Sequence, residues 1–153
     1  MKALELKIPP VIVVLIFGFL MWVMDQVFPE FKYAWAWSQW LSLSLVVLTT
    51  VLIVAGVLAF KKAKTTVNPT HPDKATTVVT TGIYRYTRNP MYLGFLFGLL
   101  AYVIYLSNPL TGLLLPAFVV IMNQFQIKPE ERMLSDLFGS AYQHYRLQVR
   151  RWL

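Results

Sequence analysis

The sequence predicts an all-α integral membrane protein with about four transmembrane helices, the last two forming a helical hairpin, plus a C-terminal amphipathic helix on the cytoplasmic side. Three observations support this fold class. The chain has 153 residues, of which 57% are hydrophobic and 14% are charged, whereas an average soluble domain has roughly 25% charged residues. Its apolar residues form runs of a length that crosses a bilayer. Its basic residues, which give a net charge of +7, gather between and after these runs.

The first half of the chain predicts two transmembrane helices. The apolar run 9–28 has about the 20 residues that cross the hydrocarbon core. Asp25 lies near its end and is expected to reach the headgroups rather than to act as a buried acid. A second apolar run, 40–60, ends abruptly at a group of lysines: Lys61, Lys62 and Lys64.

The second half predicts a threonine-rich loop and a helical hairpin. The loop covers residues 65–88 and contains His71, whose role the sequence leaves open. Two shorter apolar runs follow, 90–107 and 110–127. The Asn108-Pro109 pair between them is a tight-turn signal, so the two helices should be antiparallel neighbours.

A last, amphipathic helix is predicted to begin at Pro129. Proline favours the first turn of a helix, and Glu130 and Glu131 lie where the helix dipole favours negative charge. Apolar residues then recur at helical spacing on one face, so the segment should lie on or beneath the membrane. Gly139 interrupts the pattern and is a point where the helix can break.

The distribution of basic residues predicts the orientation. The connection after the first span carries one, Lys32, and the hairpin turn carries none. Lys2 and Lys7 precede the first span, and the remaining basic residues lie in the loop before the third span and in the tail after the fourth: Lys61, Lys62, Lys64, Lys74, Arg85 and Arg88 in the loop, and Lys128, Arg132, Arg146, Arg150 and Arg151 in the tail. The positive-inside rule then places both termini in the cytoplasm. In so apolar a chain, these charges indicate contact with anionic lipid headgroups and not with nucleic acid.

The most informative stretch is residues 79–94, VTTGIYRYTRNPMYLG. Asn89 before Pro90 is a predicted N-cap, and a helix N-terminus is a site for a carboxylate or phosphate. Arg88 adds a bidentate donor, and Tyr84 and Tyr92 add ring faces. The same residues also suit an ordinary anchor at the membrane interface. No metal site is predicted, because the chain has no cysteine and only two histidines.

At this point the sequence resembles a known family. GIYRYTRNPMYLG, followed some way later by PEERML and then FG..Y..Y, is similar to the isoprenylcysteine carboxyl methyltransferase and phospholipid methyltransferase superfamily. The short prokaryotic members look most similar, and the resemblance covers about residues 61–153. It implies an integral membrane methyltransferase, in a prokaryotic inner membrane, that uses S-adenosylmethionine without a Rossmann domain. The whole chain would be one membrane domain, with 1–60 as a two-helix frame and 61–153 as the cofactor-binding and catalytic part.

The resemblance also implies roles for individual residues. Arg88 and Glu130 are the expected catalytic residues, with Arg88 orienting carboxylates of cofactor or substrate. The expected cofactor-binding residues come from the loop, the motif and the acidic pair: Thr77, Val78, Val79, Tyr84, Asn89, Pro90, Met91, Tyr92 and Glu131. Where isoprenylcysteine enzymes have an arginine associated with the substrate carboxylate, this chain has Gln126, with Lys128 nearby. Because an amide anchors a carboxylate less strongly, this departure from the family pattern argues against a prenylcysteine substrate and leaves an amine or another lipid-borne nucleophile open.

Two other functions compete with methyl transfer. Sterol reductases look distantly similar in their C-terminal parts, so a membrane reductase using NADPH is one alternative, although the loop is poor in basic residues for a doubly phosphorylated dinucleotide. The second alternative is a non-enzymatic membrane adaptor whose basic loop binds anionic lipid. It predicts that Arg88→Ala and Glu130→Ala leave function intact. The sequence sets no oligomeric state.

Overall fold

The protein is described here by a computed structural model, which covers residues 5–33, 35–64 and 76–153. The first three long helices are α1 (Pro10–Val27), α2 (Ser38–Lys62) and α3 (Pro90–Leu106). A continuous helical segment, Pro109–Phe138, follows. It consists of a 3-10 helix (Pro109–Leu113), α4 (Leu114–Met122), a π-helix (Asn123–Ile127) and α5 (Lys128–Phe138). Helix α6 (Ser140–Gln148) comes next, and two short 3-10 helices lie at Pro29–Phe31 and Gly82–Arg85.

These helices confirm an all-α integral membrane protein. Three of them are long and apolar enough to cross a membrane: α1, α2 and the segment Pro109–Phe138. Helix α3 is also apolar but has only 17 residues. The prediction of four crossings therefore remains a prediction for α3. His71 and the rest of 65–75 lie outside the described residues.

The predicted boundaries of the first three helices are close to the observed ones, for the expected reasons. Prolines stand at the first position of α1 and of α3, where their missing N–H costs nothing. Lys61 and Lys62 form the last turn of α2. Helix α3 ends at Ser107, which has the left-handed φ of 53°. The turn predicted at Asn108 is present, and the Asn108 side chain accepts a hydrogen bond from Leu110 N at 3.2 Å.

Helix α5 begins at Lys128, one residue before the predicted start, with Pro129, Glu130 and Glu131 in its first turn. It continues the preceding helical segment without a break, and the carbonyl that loses its α-helical partner at Pro129 accepts from another donor. In an α-helix the N–H of residue 129 would donate to the carbonyl of Phe125. Here Leu6 N donates to Phe125 O at 3.0 Å. The predicted break at Gly139 is confirmed: with φ of 53° it separates α5 from α6, so the predicted amphipathic helix is two helices.

The main core lies between α1, α3 and the long C-terminal segment. Its buried members are Val13, Phe17, Met21, Tyr92, Leu99, Val103, Phe118, Met122 and Ile127. Helix α2 packs beside α3 through glycine: a Cβ at Gly94 would lie 2.8 Å from Ile53 Cγ1 and 3.2 Å from Thr49 O. Small residues allow such close approach of membrane helices. The rest of α2 exposes apolar side chains, as expected for a face covered by lipid.

Asp25 is buried, against the expectation that it reaches the headgroups. The residue is 2% exposed. Its carboxylate accepts a hydrogen bond from Asn108 Nδ2 at 3.2 Å and pairs with Lys32 Nζ at 2.8 Å. A charge in an apolar surrounding needs such partners. This cluster joins the end of α1 to the turn between α3 and the next helix, at the end of the bundle away from Arg88.

Candidate active site

The residues that lead into the motif form a small aromatic cluster. Gly82 has φ of 63°, which glycine adopts without strain, and opens the 3-10 helix. Tyr84 is buried, packs edge-to-face on Phe60 at 5.2 Å between ring centroids, and accepts through its carbonyl a hydrogen bond from Tyr145 Oη at 2.7 Å. Burial raises the pKa of Tyr84 and Tyr145 above the ordinary tyrosine value. Val79 lies in the same cluster, whereas Val78 is half-buried and Thr77 is exposed.

Asn89 occupies the predicted N-cap position of α3, but its side chain makes no capping hydrogen bond. Its Nδ2 donates instead to Arg151 O at 2.9 Å. Thr87, which is buried, accepts from Asn89 N at 3.2 Å and donates to the same Arg151 carbonyl at 3.3 Å. The polar groups of the motif therefore hold the C-terminal tail.

Arg88 and Glu131 meet at the centre of this arrangement. Arg88 Nη2 donates to Glu131 Oε1 at 2.7 Å, and Arg151 donates to both Glu131 oxygens, from Nε at 3.0 Å and from Nη2 at 2.6 Å. Arg88 Nη1 donates to the carbonyls of Arg146 and Val149 at 2.9 and 2.8 Å. The hydrogen bonds to Glu131 raise the pKa of Arg151. Both oxygens of Glu131 are thus occupied by guanidinium groups.

Glu130 has a different environment from its neighbour. Tyr92 is buried and its Oη donates to Glu130 Oε2 at 3.1 Å. Glu130 is only half-buried, and its Oε1 accepts no hydrogen bond from any described residue. This pair joins the first turn of α3 to the first turn of α5. Of the remaining predicted motif residues, Pro90 is buried and Met91 is half-buried, both packed towards Gly56 of α2.

Gln126 lies within the π-helix, one turn before Glu130. It is 1% exposed, and its Nε2 donates to Ile8 O at 2.6 Å. Its Oε1 is buried and accepts no hydrogen bond from the described residues. The segment before α1 is therefore part of the surroundings of the site, together with an ion pair between Glu5 and Arg132.

The sequence analysis missed the C-terminal tail as part of the site. Arg151, Arg146 and Arg150 entered only as positive charges, yet their carbonyls or side chains bind the motif. Trp152 donates from Nε1 to Asn123 Oδ1 at 3.2 Å. No pattern in the tail indicates these contacts, since most of them involve backbone carbonyls. Beside Arg88 an open cleft of about 450 Å³ is lined by Gln143, Arg146 and Leu147.

The chain has apolar helices of membrane-crossing length. An acid–arginine network and the Tyr92–Glu130 pair lie at one end of them. These features define an integral membrane protein with a candidate site at the end of its helices. A family model described as phospholipid methyltransferase matches residues 37–141, which include the first sequence block and the PEERML part of the second. The chain belongs to the phospholipid methyltransferase family. The predicted superfamily is thereby confirmed.

Relatives from several organisms agree with this assignment. An uncharacterized protein of Haemophilus influenzae is 46% identical over 63 residues, which is 41% of this chain and all of that protein. A probable protein-S-isoprenylcysteine O-methyltransferase of Oryza sativa is 31% identical over 125 residues, and protein-S-isoprenylcysteine O-methyltransferase B of Arabidopsis thaliana is 28% identical over 125 residues. These matches cover 80% of this chain but only 63% and 61% of the plant proteins.

Proposed function

We propose that this protein is an S-adenosylmethionine-dependent methyltransferase that acts on a lipophilic acceptor at the cytoplasmic face of a prokaryotic inner membrane. The observation that carries the proposal is the Tyr92–Glu130 pair, in which two blocks matched by the family model meet at one end of the apolar helices. The whole chain serves as one membrane domain, with 1–60 as the frame and 61–153 as the binding and catalytic part.

The orientation in the membrane rests on the positions of the charges. The helix ends near Arg88 carry almost all the basic residues of the described chain, whereas Lys32 lies at the Asp25 end. By the positive-inside rule, the end with Arg88 faces the cytoplasm, as do both termini. The cofactor then reaches the site from the cytoplasm and the acceptor reaches it from the bilayer.

The free polar atoms of the site fit the charges of S-adenosylmethionine. Glu130 Oε1 is an open carboxyl acceptor, which in its ionised form suits the cationic sulfonium or ammonium group. Arg88 Nε is buried and has no acceptor among the described residues, so it is a donor for a carboxylate. Tyr84 and Tyr92, with Thr77, Val78, Val79, Asn89, Pro90 and Met91 around them, would form the pocket, and Glu131 would hold Arg88 in place beside it. When bound, the cofactor supplies a methyl group already activated for transfer.

The residues of this chain then mainly align the reactants and exclude water. A carboxylate acceptor is already a nucleophile and needs no base. An amine acceptor must lose one proton, and Glu130, which is half-buried and holds Tyr92 through only one oxygen, is the proposed general base. Arg88 holds the tail and the first turn of α3 in the arrangement that brings Glu130 to the site.

The surroundings of Gln126 favour a methyl acceptor that can donate a hydrogen bond. Its amide N–H already donates to Ile8 O, whereas its buried Oε1 lacks a donor in the described chain. A buried oxygen without a hydrogen-bond donor is costly, and an N–H or O–H group of the methyl-accepting molecule would satisfy it. The plant relatives are named for isoprenylcysteine. For this chain we propose a lipid-borne amine or hydroxyl in preference to a carboxylate.

Calorimetric titration of the detergent-purified protein with S-adenosylhomocysteine tests the proposal. We expect saturable binding by the wild type and a loss of at least about tenfold in Glu130→Gln, which keeps the size of the side chain but removes its charge. Asp136→Asn is the matched control, since Asp136 is exposed on the same helix. The affinity of Arg88→Gln is compared with that of its control Arg85→Gln, because Arg85 is exposed in the same motif.

Absence of binding by folded wild-type protein would contradict the proposal. Titration with NADPH and with anionic vesicles would then test the reductase and adaptor alternatives. Equal affinity in wild type and Glu130→Gln would remove Glu130 from the site.

A further inference from the structure

The two neighbouring acids of α5, Glu130 and Glu131, have different surroundings, which indicate different roles. Glu131 is 5% exposed, and three hydrogen bonds from two guanidinium groups occupy both of its oxygens. Glu130 is half-buried and accepts one hydrogen bond from Tyr92. A carboxylate with both oxygens engaged by arginine has little capacity for another ligand. Glu131 therefore belongs to the framework, and Glu130 is the acid left for a ligand.

Arg151 is fixed from two directions. Its guanidinium binds Glu131 in the bidentate geometry that makes arginine a directional partner. Its own carbonyl accepts hydrogen bonds from Asn89 Nδ2 and Thr87 Oγ1. The side chain therefore connects to α5, and the backbone connects to the start of α3.

The backbone around Arg151 is held in the same way. Arg88 donates from its backbone N to Arg150 O at 3.0 Å and from its side chain to the carbonyls of Arg146 and Val149. On the other side, Trp152 donates to Asn123 Oδ1. The segment 149–152 thus connects the start of α3, the π-helix and α5, which are the three elements around the Tyr92–Glu130 pair.

We propose that Arg151 is a positioning residue that acts through Glu131. By fixing Glu131, it sets the rotation of α5 about its axis and so directs the adjacent Glu130 towards Tyr92. Neither Arg151 nor Glu131 touches the cofactor in this arrangement. The assignment rests on the proposed function for its effect on ligand affinity, but the contacts that it describes exist in the ligand-free protein.

A double-mutant cycle tests the coupling. Arg151→Gln, Glu131→Gln and the double variant are titrated with S-adenosylhomocysteine, and the thermal midpoint of each is recorded. We expect each single variant to bind at least about tenfold more weakly, and the double variant to bind no more weakly than Glu131→Gln alone, because the Arg151–Glu131 interaction is already absent in both single variants. Arg151→Lys should recover only part of the affinity, because an ammonium lacks the planar fork. Arg150→Gln is the control, since its side chain is exposed.

A second measurement does not require cofactor binding. Hydrogen exchange of the ligand-free protein, read in peptides that contain Arg88, should become faster in Arg151→Gln and stay unchanged in Arg150→Gln, because the Arg88 amide donates to the tail. If the wild type binds no S-adenosylhomocysteine, the proposed function fails and this measurement alone decides the positioning role. Losses of affinity that multiply in the double variant, a lower thermal midpoint with unchanged affinity, or unchanged exchange at Arg88 would each overturn the inference.

Discussion

The close packing of α2 on α3 leads to a quantitative prediction for Gly94→Ala. The added Cβ would lie 2.8 Å from Ile53 Cγ1 and 3.2 Å from Thr49 O, whereas comfortable contacts begin at about 3.5 Å. The helices must therefore separate by several tenths of an ångström, and overpacking of this kind costs roughly 1–3 kcal/mol. Alanine recovers about 0.5–1 kcal/mol through its better helix propensity. The net expected loss in the free energy of unfolding is about 0–2.5 kcal/mol, and about 1–3 kcal/mol relative to a Gly→Ala change that meets no steric contact.

Gly18→Ala is the matched control, because a Cβ at Gly18 in α1 meets no atom of the described residues within 4 Å. It should leave stability unchanged or raise it. Unfolding of both variants by sodium dodecyl sulfate in mixed micelles, followed by far-UV circular dichroism, gives the two free energies. Adding Ile53→Ala to Gly94→Ala should restore part of the loss, since the nearest contact is removed. A Gly94→Ala variant as stable as Gly18→Ala would refute the reasoning.

Two further predictions concern the stability of the fold. Asp25→Ala should lower the free energy of unfolding by about 1–3 kcal/mol, because Asn108 loses a buried acceptor. Its affinity for S-adenosylhomocysteine should be that of the wild type, and a joint loss of binding would contradict this separation. Tyr145→Phe should cost about 1 kcal/mol at neutral pH through its bond to Tyr84 O. Since the folded protein raises the pKa of Tyr84 and Tyr145, only the unfolded chain ionises them as pH passes about 10, and stability falls there. Between about pH 8 and 11 the free energy of unfolding should fall less steeply in Tyr145→Phe than in the wild type. Denaturation curves that give the same dependence on pH for both proteins would contradict this.

The fold was largely predictable because apolar run length and proline carry strong local information. Pro10, Pro90 and Lys62 mark helix ends through backbone chemistry and charge, and the structure places the ends there. Pro129 also marks a helix start to within one residue. The continuity of this helix with the preceding one was not predictable, because a backbone N–H from Leu6, over a hundred residues away, donates to the carbonyl that Pro129 leaves without a partner. The residues around Pro129 do not indicate such a distant partner.

The residues of the site were more predictable than the contacts between them. The two sequence blocks led to Arg88, Tyr92, Glu130 and Glu131, which the structure brings to one end of the helices. The use of each acid was not predictable, because Glu130 and Glu131 are adjacent and chemically identical in the sequence. Only the packing of the tail separates them. Asp25 shows the same limit, since its burial depends on Asn108 in a distant turn.

The π-helix at Asn123–Ile127 sets the angle between the two halves of the long C-terminal segment. Its i→i+5 hydrogen bonds take up about one residue more than a turn of α-helix does, and one residue of α-helix corresponds to a rotation of about 100°. If the same residues formed regular α-helix, Phe118 and Met122 would stay in the core but Glu130 would turn away from Tyr92. Deleting one residue within the π-helix, by contrast, would restore regular α-helix and keep both halves in place. The extra residue therefore fixes the angle at which the half that lies in lipid presents its acids.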